Sequence, residues 1–396
     1  MKKLLIVAVV LILICSAGGF YIISNMKNNS ADNKNVQTEI SQNKTKTKPA
    51  FAKEKENTSK TKTNIAEKAD SKNFDILPTM ESASSAKNKV WAGAFQLVWN
   101  DLMDELIKGP VKFLADQPAM VDLLNKQEFT TQDIEESAYY KKWGLASPAL
   151  KKEIEDGIWA KFKEKSQILD MANWAPAPCK YALYTMMKKD LEYEKEFESL
   201  QEDKFDGSEK LVKYFGIEEE PYGRNVKETV RVLFYNDDKD FAVTLRSKQG
   251  DLIHLYRVNT DKNLAEIYAE MMQKTKRNSH DYLQNIDRFK APKINFNKVK
   301  EFKELYGKPM VTSKEICGDP IEITKAIERI EFKMDEVDAK VVAEALIMTQ
   351  DLVAAPDSWE PTPRYFYFTG PYAIFMQEPG KHPYFAAYIK DPASIQ

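Results

Sequence analysis

An unbroken apolar run from Leu4 to Ile23 constrains this chain most, because it fixes where folding in water can begin. The run is 20 residues long and carries no charge, enough to cross a bilayer core as a helix. Lys2 and Lys3 precede it and Ser24-Asn25 follow it. Lysines on the leading side favour a cytoplasmic N-terminus and an exported remainder. Residues 1–26 are therefore expected to form a signal anchor, a single transmembrane helix with the rest of the chain outside the cytoplasm. Two other fates fit the same residues. One is cleavage as a signal peptide near Cys15-Ser16-Ala17, releasing a secreted protein; the other is lipid modification at Cys15.

The next stretch is rich in Lys, Asn, Thr, Ser and Glu and nearly free of large apolar side chains. It cannot bury enough surface to offset its ordering entropy. Residues 27–77 are thus expected to be a disordered polar linker. Eleven lysines against seven acidic residues give the linker a charge of +4. A basic tether beside a membrane can meet anionic headgroups or wall polymers, and it can equally serve as a solvated spacer.

Residues 78–396 remain for one folded domain of about 315 residues, with a net charge of about −8. That balance argues against a nucleic-acid partner, which needs a clustered positive face. Cys179 and Cys317 are the only cysteines beyond the apolar run. They fit either a disulfide in an oxidising compartment or two isolated buried thiols. Trp91, Phe95, Val98, Leu102 and Leu106 recur at steps of three and four and predict a helix, ended by Gly109-Pro110. Ser147-Pro148 opens a second helix carrying Leu150, Ile154, Ile158 and Phe162. Leu264, Ile267, Tyr268 and Met271 mark a third.

Strand periodicity appears later. Val230 to Phe234, Phe241 to Leu245 and Ile253 to Arg257 alternate around the turn signals Asn236–Lys239 and Lys248–Asp251, a three-stranded meander. Ile330 to Met334 alternates again, as does Tyr365 to Phe368. Tyr372–Gln377 and Tyr384–Ile389 are joined by the hairpin turn Glu378-Pro379-Gly380-Lys381. Early helices and late strands give an α+β domain.

Enzyme motifs are missing. The chain has no Gly-x-Ser-x-Gly elbow, no phosphate-cradling glycine loop and no His-Glu-x-x-His. His254, His280 and His382 lack metal-ligand spacing. His254 falls in a predicted strand and reads as a packed or surface side chain. Glu218-Glu219-Glu220 reads as a solvated charge run. Neither an enzymatic activity nor a metal or other cofactor is expected.

The last 70 residues carry a resemblance. Ile330-Glu331-Phe332-Lys333-Met334-Asp335-Glu336 is an alternating strand ending in an acidic residue. Val337-Asp338-Ala339 and Lys340-Val341-Val342-Ala343-Glu344-Ala345 follow, and then an irregular stretch to Pro363. Pro371–Met376 and His382–Pro392 form a closing hairpin. This order resembles the C-terminal part of the serpin superfamily, with the hairpin as its most specific element. Ala291–Phe296, followed by Phe302 and Leu305, is similar to the family's proline-initiated strand and short helix. Ala182-Leu183-Tyr184 with Phe197 is similar to a central-sheet strand. The match covers about half of the domain and leaves residues 85–175 without a counterpart.

The resemblance implies helices packed on a large mixed or antiparallel central sheet, with further antiparallel sheets. It also implies an exposed reactive loop over residues 340–363, with a hinge at Glu336, Asp338, Ala339, Val341 and Ala343. The family's hinge-to-scissile spacing reaches Leu352-Val353, a bond suited to a protease that prefers apolar residues. The chain departs from the pattern at Asp338, where the family has glycine, and at Ala339, near its threonine. Lys340, Val341, Val342 and Glu344 replace alanines, and the tryptophan after Ala182-Leu183-Tyr184 is absent. Two functions follow as expectations: inhibition of a target protease through the loop, or a non-inhibitory module binding an envelope protein.

Overall fold

The computed structural model describes residues 66–70, 72–218, 226–277, 281–312, 320–337 and 362–396. The expected anchor over residues 1–26 lies outside the described residues. No helix among the described residues is long and apolar enough to cross a membrane.

The fold is under way before the expected boundary at residue 78. Glu67–Lys68 (β1) and Phe74–Ile76 (β2) both pair with later strands, and Phe74, Ile76 and Leu77 are buried. These few apolar residues are diluted by polar neighbours, so composition alone assigns them to the linker. Asn88–Ala92 (β3) follows, and then the helix Gly93–Asp101 (α1), which continues as a π-helical stretch to Ile107. Trp91 therefore sits in a strand and not in the expected helix. The step from Trp91 to Phe95 mimics a helical face because it straddles a strand–helix junction. Gly93 occupies that junction because a Cβ there would lie 2.2 Å from Cε1 of Phe129.

Ala119–Leu124 (α2) and Tyr139–Leu145 (β4) lead to Pro148–Phe162 (α3). The Ser147 hydroxyl accepts the Leu150 amide at 3.1 Å, the expected cap, with Pro148 at the first helical position. Leu150, Ile154 and Ile158 of α3 form a small core with Leu169 and with Tyr184 of the next strand, Tyr181–Met187 (β5).

Glu198–Lys204 (β6) and Leu211–Ile217 (β7) precede the expected meander, Val230–Asp237 (β8), Asp240–Arg246 (β9) and Leu252–Arg257 (β10). The helix Leu264–Arg277 (α4) comes next, as its spacing predicts. Then come Asp281–Tyr282 (β11), Arg288–Pro292 (β12), Ile294–Glu301 (β13), Pro309–Met310 (β14), Ile321–Glu322 (β15) and Ile327–Met334 (β16). Tyr365–Tyr367 (β17), Tyr372–Gln377 (β18) and Pro383–Ile389 (β19) close the chain.

An eight-stranded mixed sheet, β11-β8-β9-β10-β18-β19-β3-β2, holds the main core. Leu255 lies opposite Val243 on one side and Ile374 on the other, so the meander and the closing hairpin share one register. The hairpin strands β18 and β19 are buried along their whole length. That accounts for their near-continuous apolar sequence. A second sheet has the order β17-β12-β7-β6, a third β1-β13-β16, and β4-β5 and β14-β15 are two-stranded ribbons.

Candidate functional site: a groove between two strand edges

Strand β5 pairs with β4 and β16 pairs with β13. Among the described residues nothing pairs along the remaining edge of either strand. These two edges border a groove of about 460 Å³. An unpaired edge presents a row of backbone donors and acceptors, a template for another strand.

Alternation divides the groove into two faces. From β16, Ile330, Phe332 and Met334 pack toward the main core, and Phe332 stacks on Phe385 of β19 at 4.5 Å. Ile253 and Met376 complete this apolar floor. The alternate residues Arg329, Glu331 and Lys333 line the other face. Arg329 Nε donates to Asn297 Oδ1 at 2.8 Å and its guanidinium pairs with Glu331. From β5, Tyr184 and Met186 turn to α3, while Thr185 is buried with no hydrogen-bond partner for its hydroxyl among the described residues. The groove therefore has an apolar floor and a charged outer face.

Lys189, just past β5, is the centre of a charged cage on the groove wall. Its ammonium lies 2.7 Å from Glu378, 3.0 Å from Glu135 and 3.1 Å from Asp251. Tyr384 donates to Asp251 Oδ2 at 2.8 Å. The Lys189, Asp251 and Glu378 side chains are only 9%, 6% and 11% exposed. Burial opposes the charge on Glu378, but hydrogen bonds from Lys189 and Lys381 outweigh it and hold the carboxyl at about 2. Burial likewise opposes the charge on Lys189, and its carboxylate partners raise its pKa nonetheless. The cage ties the β4–β5 ribbon to the β18–β19 hairpin and to the start of β10.

Of the expected hinge, Glu336 is described. Its carbonyl accepts the Phe197 amide at 2.9 Å, and its carboxylate lies 2.6 Å from Lys293 Nζ. Asp338, Ala339, Val341, Ala343 and the Leu352-Val353 bond lie outside the described residues. Strand β17 pairs in parallel with β12, and Arg364 just before it lies 2.7 Å from Asp287. Cys179, two residues before β5, is disulfide-bonded to a cysteine outside the described residues. His254 is a packed side chain: its Nδ1 is 2.8 Å from the Thr244 hydroxyl, and burial lowers its pKa to about 4.

Sequence reasoning missed the Lys189 cage and Thr185. The cage residues come from four separate segments, and no local spacing announces them. The one signal is the run Lys188-Lys189-Asp190, which breaks an otherwise apolar strand at its end.

No family model and no curated relative matches the chain. Solved structures do. Thyroxine-binding globulin in complex with thyroxine is 11% identical, with a TM-score of 0.40, over 62% of this chain and 65% of that one; the chain thus spans slightly under two thirds of that protein. Serpin48 of the insect Tenebrio molitor is 12% identical, with a TM-score of 0.36, over 76% and 74%. Tengpin, a thermophilic serpin in its native state, is 13% identical, with a TM-score of 0.51, over 83% of this chain and 97% of that one. The chain has a serpin-like α+β fold built from several sheets.

Proposed function

We propose that the protein is an exported, membrane-tethered inhibitor of a protease, acting by insertion of its own loop into the β5–β16 groove. One observation carries the reading: the edges of β5 and β16 that pair with nothing among the described residues border one groove. A serine protease that attacks the Leu352 carbonyl expels the Val353 amine and stays esterified to Leu352, which frees the residues after Glu336. They then enter the groove as a strand antiparallel to β16. Each new backbone hydrogen bond contributes about 1 kcal/mol, and the apolar floor gains further burial. The rearrangement displaces the bound protease before it completes hydrolysis. Export is supported by the Cys179 disulfide, since such bonds persist in oxidising compartments.

The test incubates the full chain with elastase-like and subtilisin-like proteases. The expected result is an SDS-stable covalent complex, together with a rise in the unfolding temperature of the cleaved chain. Simple loop cleavage with neither effect overturns the inhibitor reading. In that case the scaffold is a binding module. The second reading draws on Asp338 in place of the hinge glycine and on the stiff Val341-Val342 pair.

A further inference from the structure

A second cavity lies on the other face of the eight-stranded sheet from the groove. Trp91 and Ala92 are neighbours on β3, so alternation sends them to opposite faces; Ala92 lines the groove and Trp91 this cavity. Its volume is about 210 Å³, and its wall is mostly apolar: Trp91, Phe129 and Tyr268, with Leu123, Ala265 and Pro383 between them. The aromatic wall is fixed in place. Phe129 meets Trp91 edge-on at 5.7 Å and closes over Gly93. Tyr268 packs on Phe375 at 5.1 Å and donates to Gln377 Oε1 at 2.6 Å.

Two polar side chains in this wall each keep one atom without a hydrogen bond among the described residues. Gln96 is 2% exposed, and its Nε2 donates to Asn100 Oδ1 and to the Leu124 carbonyl, both at 2.8 Å. Those two bonds orient the amide, and Oε1 accepts no hydrogen bond among the described residues. Trp91 is 4% exposed, and its Nε1 has no acceptor. Buried polar groups in folded proteins are rarely left in this state. Glu81 and Glu128 stand at the mouth; Lys126 pairs with Glu81, and Glu128 has no ion pair among the described residues. The entrance is therefore unfavourable to anions.

We propose that this cavity binds a small neutral aromatic molecule of indole size, whose ring N–H or O–H donates to Gln96 Oε1. An apolar cavity of about 150 Å³ takes up benzene, so the larger volume here suits a one- or two-ring compound. The aromatic wall supplies edge and face contacts to such a ring. Gln96 selects for a donor, and the acidic mouth selects against carboxylates.

The test titrates indole, 1-methylindole and indole-3-acetate into the full chain and follows each by ligand-observed NMR. Ala265→Trp and Leu123→Trp fill the cavity from two different elements, and they also measure any uptake by detergent. Saturable binding of indole is expected, with 1-methylindole about fivefold weaker for the loss of one neutral hydrogen bond. Indole-3-acetate is expected to be weaker again, and both filled variants to lose binding while unfolding cooperatively. Should both variants misfold, the side-chain N–H resonance of Trp91, assigned with Trp91→Phe, must shift on adding indole to the wild-type chain. No saturable binding, equal affinity for the three compounds, or an unmoved Trp91 resonance overturns the proposal and leaves a cavity filled by water alone.

Discussion

Replacing Lys189 by Met tests whether the charged cage holds the β4–β5 ribbon to the main sheet. Methionine keeps most of the side-chain volume, so the loss is chiefly electrostatic. It leaves Glu378 and Asp251, 11% and 6% exposed, close to Glu135 with no shared cation. Breaking a buried ion pair by removing one partner costs about 3–5 kcal/mol. The pH dependence gives a second, independent measure. Glu378 is held at about 2 in the folded protein against 4.5 for a free glutamate. That difference corresponds to roughly 3 kcal/mol, reduced to about 2 kcal/mol by solvent at the groove rim. A depressed carboxyl contributes its stabilisation above the unfolded pKa and loses it as pH falls toward the folded pKa. Urea unfolding of wild type and Lys189→Met at pH 7 and pH 3 should therefore give a large stability difference at pH 7 that shrinks by about 2 kcal/mol at pH 3. A difference of the same size at both pH values would refute the cage as an electrostatic tie, and a variant as stable as wild type at pH 7 would refute it outright.

The remaining predictions concern single positions. Burial lowers His254 to about 4, so its neutral form is stabilising above the unfolded value near 6.5, and that stabilisation is lost as pH falls toward 4. His254→Gln should flatten the acid limb of the stability profile by up to roughly 3 kcal/mol, as measured by urea midpoints across that window. Glu328, 4% exposed on β16, is pushed well above the usual carboxyl range by burial. It costs stability as pH rises past its unfolded pKa, so Glu328→Gln should raise the urea midpoint at pH 7 and leave it unchanged at pH 4. Gly93→Ala drives a methyl group into the buried Phe129 ring and should cost about 1–3 kcal/mol by thermal unfolding. Ser147→Ala removes the α3 cap and should cost about 1 kcal/mol.

How much was legible in the sequence depended on whether the signal was local. The meander β8-β9-β10 and the hairpin β18-β19 alternate or run apolar between clear turns, and both lie where the pattern puts them. Helix α3 announces itself through Ser147-Pro148 and the Leu150-Ile154-Ile158 step. Where an element changes type within five residues, as at Trp91–Phe95, the two periods overlap and the helical one wins by accident. The groove was not legible at all. It is bordered by β5 and β16, which are separated by more than 130 residues and do not pair with each other among the described residues. The Lys189 cage has the same origin, since Glu135, Asp251 and Glu378 meet only after the two-stranded ribbon docks on the hairpin.

The two faces of the groove change the weight of the chain's departures from the serpin hinge pattern. Lys340 and Glu344 argue against insertion only if every inserted side chain must enter an apolar core. In a strand, Ala339, Val341, Ala343 and Ala345 share one face, and Lys340, Val342 and Glu344 share the other. If the first set meets the floor of Ile330, Phe332 and Met334, small apolar residues meet apolar ones. The second set then lies beside Arg329, Glu331 and Lys333 on β16, where Lys340 can sit opposite Glu331 or, two residues along, Glu344 opposite Arg329. A one-residue slip in register reverses both assignments and buries the charges. The proposed insertion therefore has one permitted facing, and Ala343→Glu, which charges the floor-facing set, should abolish trapping while Glu344→Ala leaves it intact. Equal effects of the two substitutions on complex formation would exclude a strand seated in this groove.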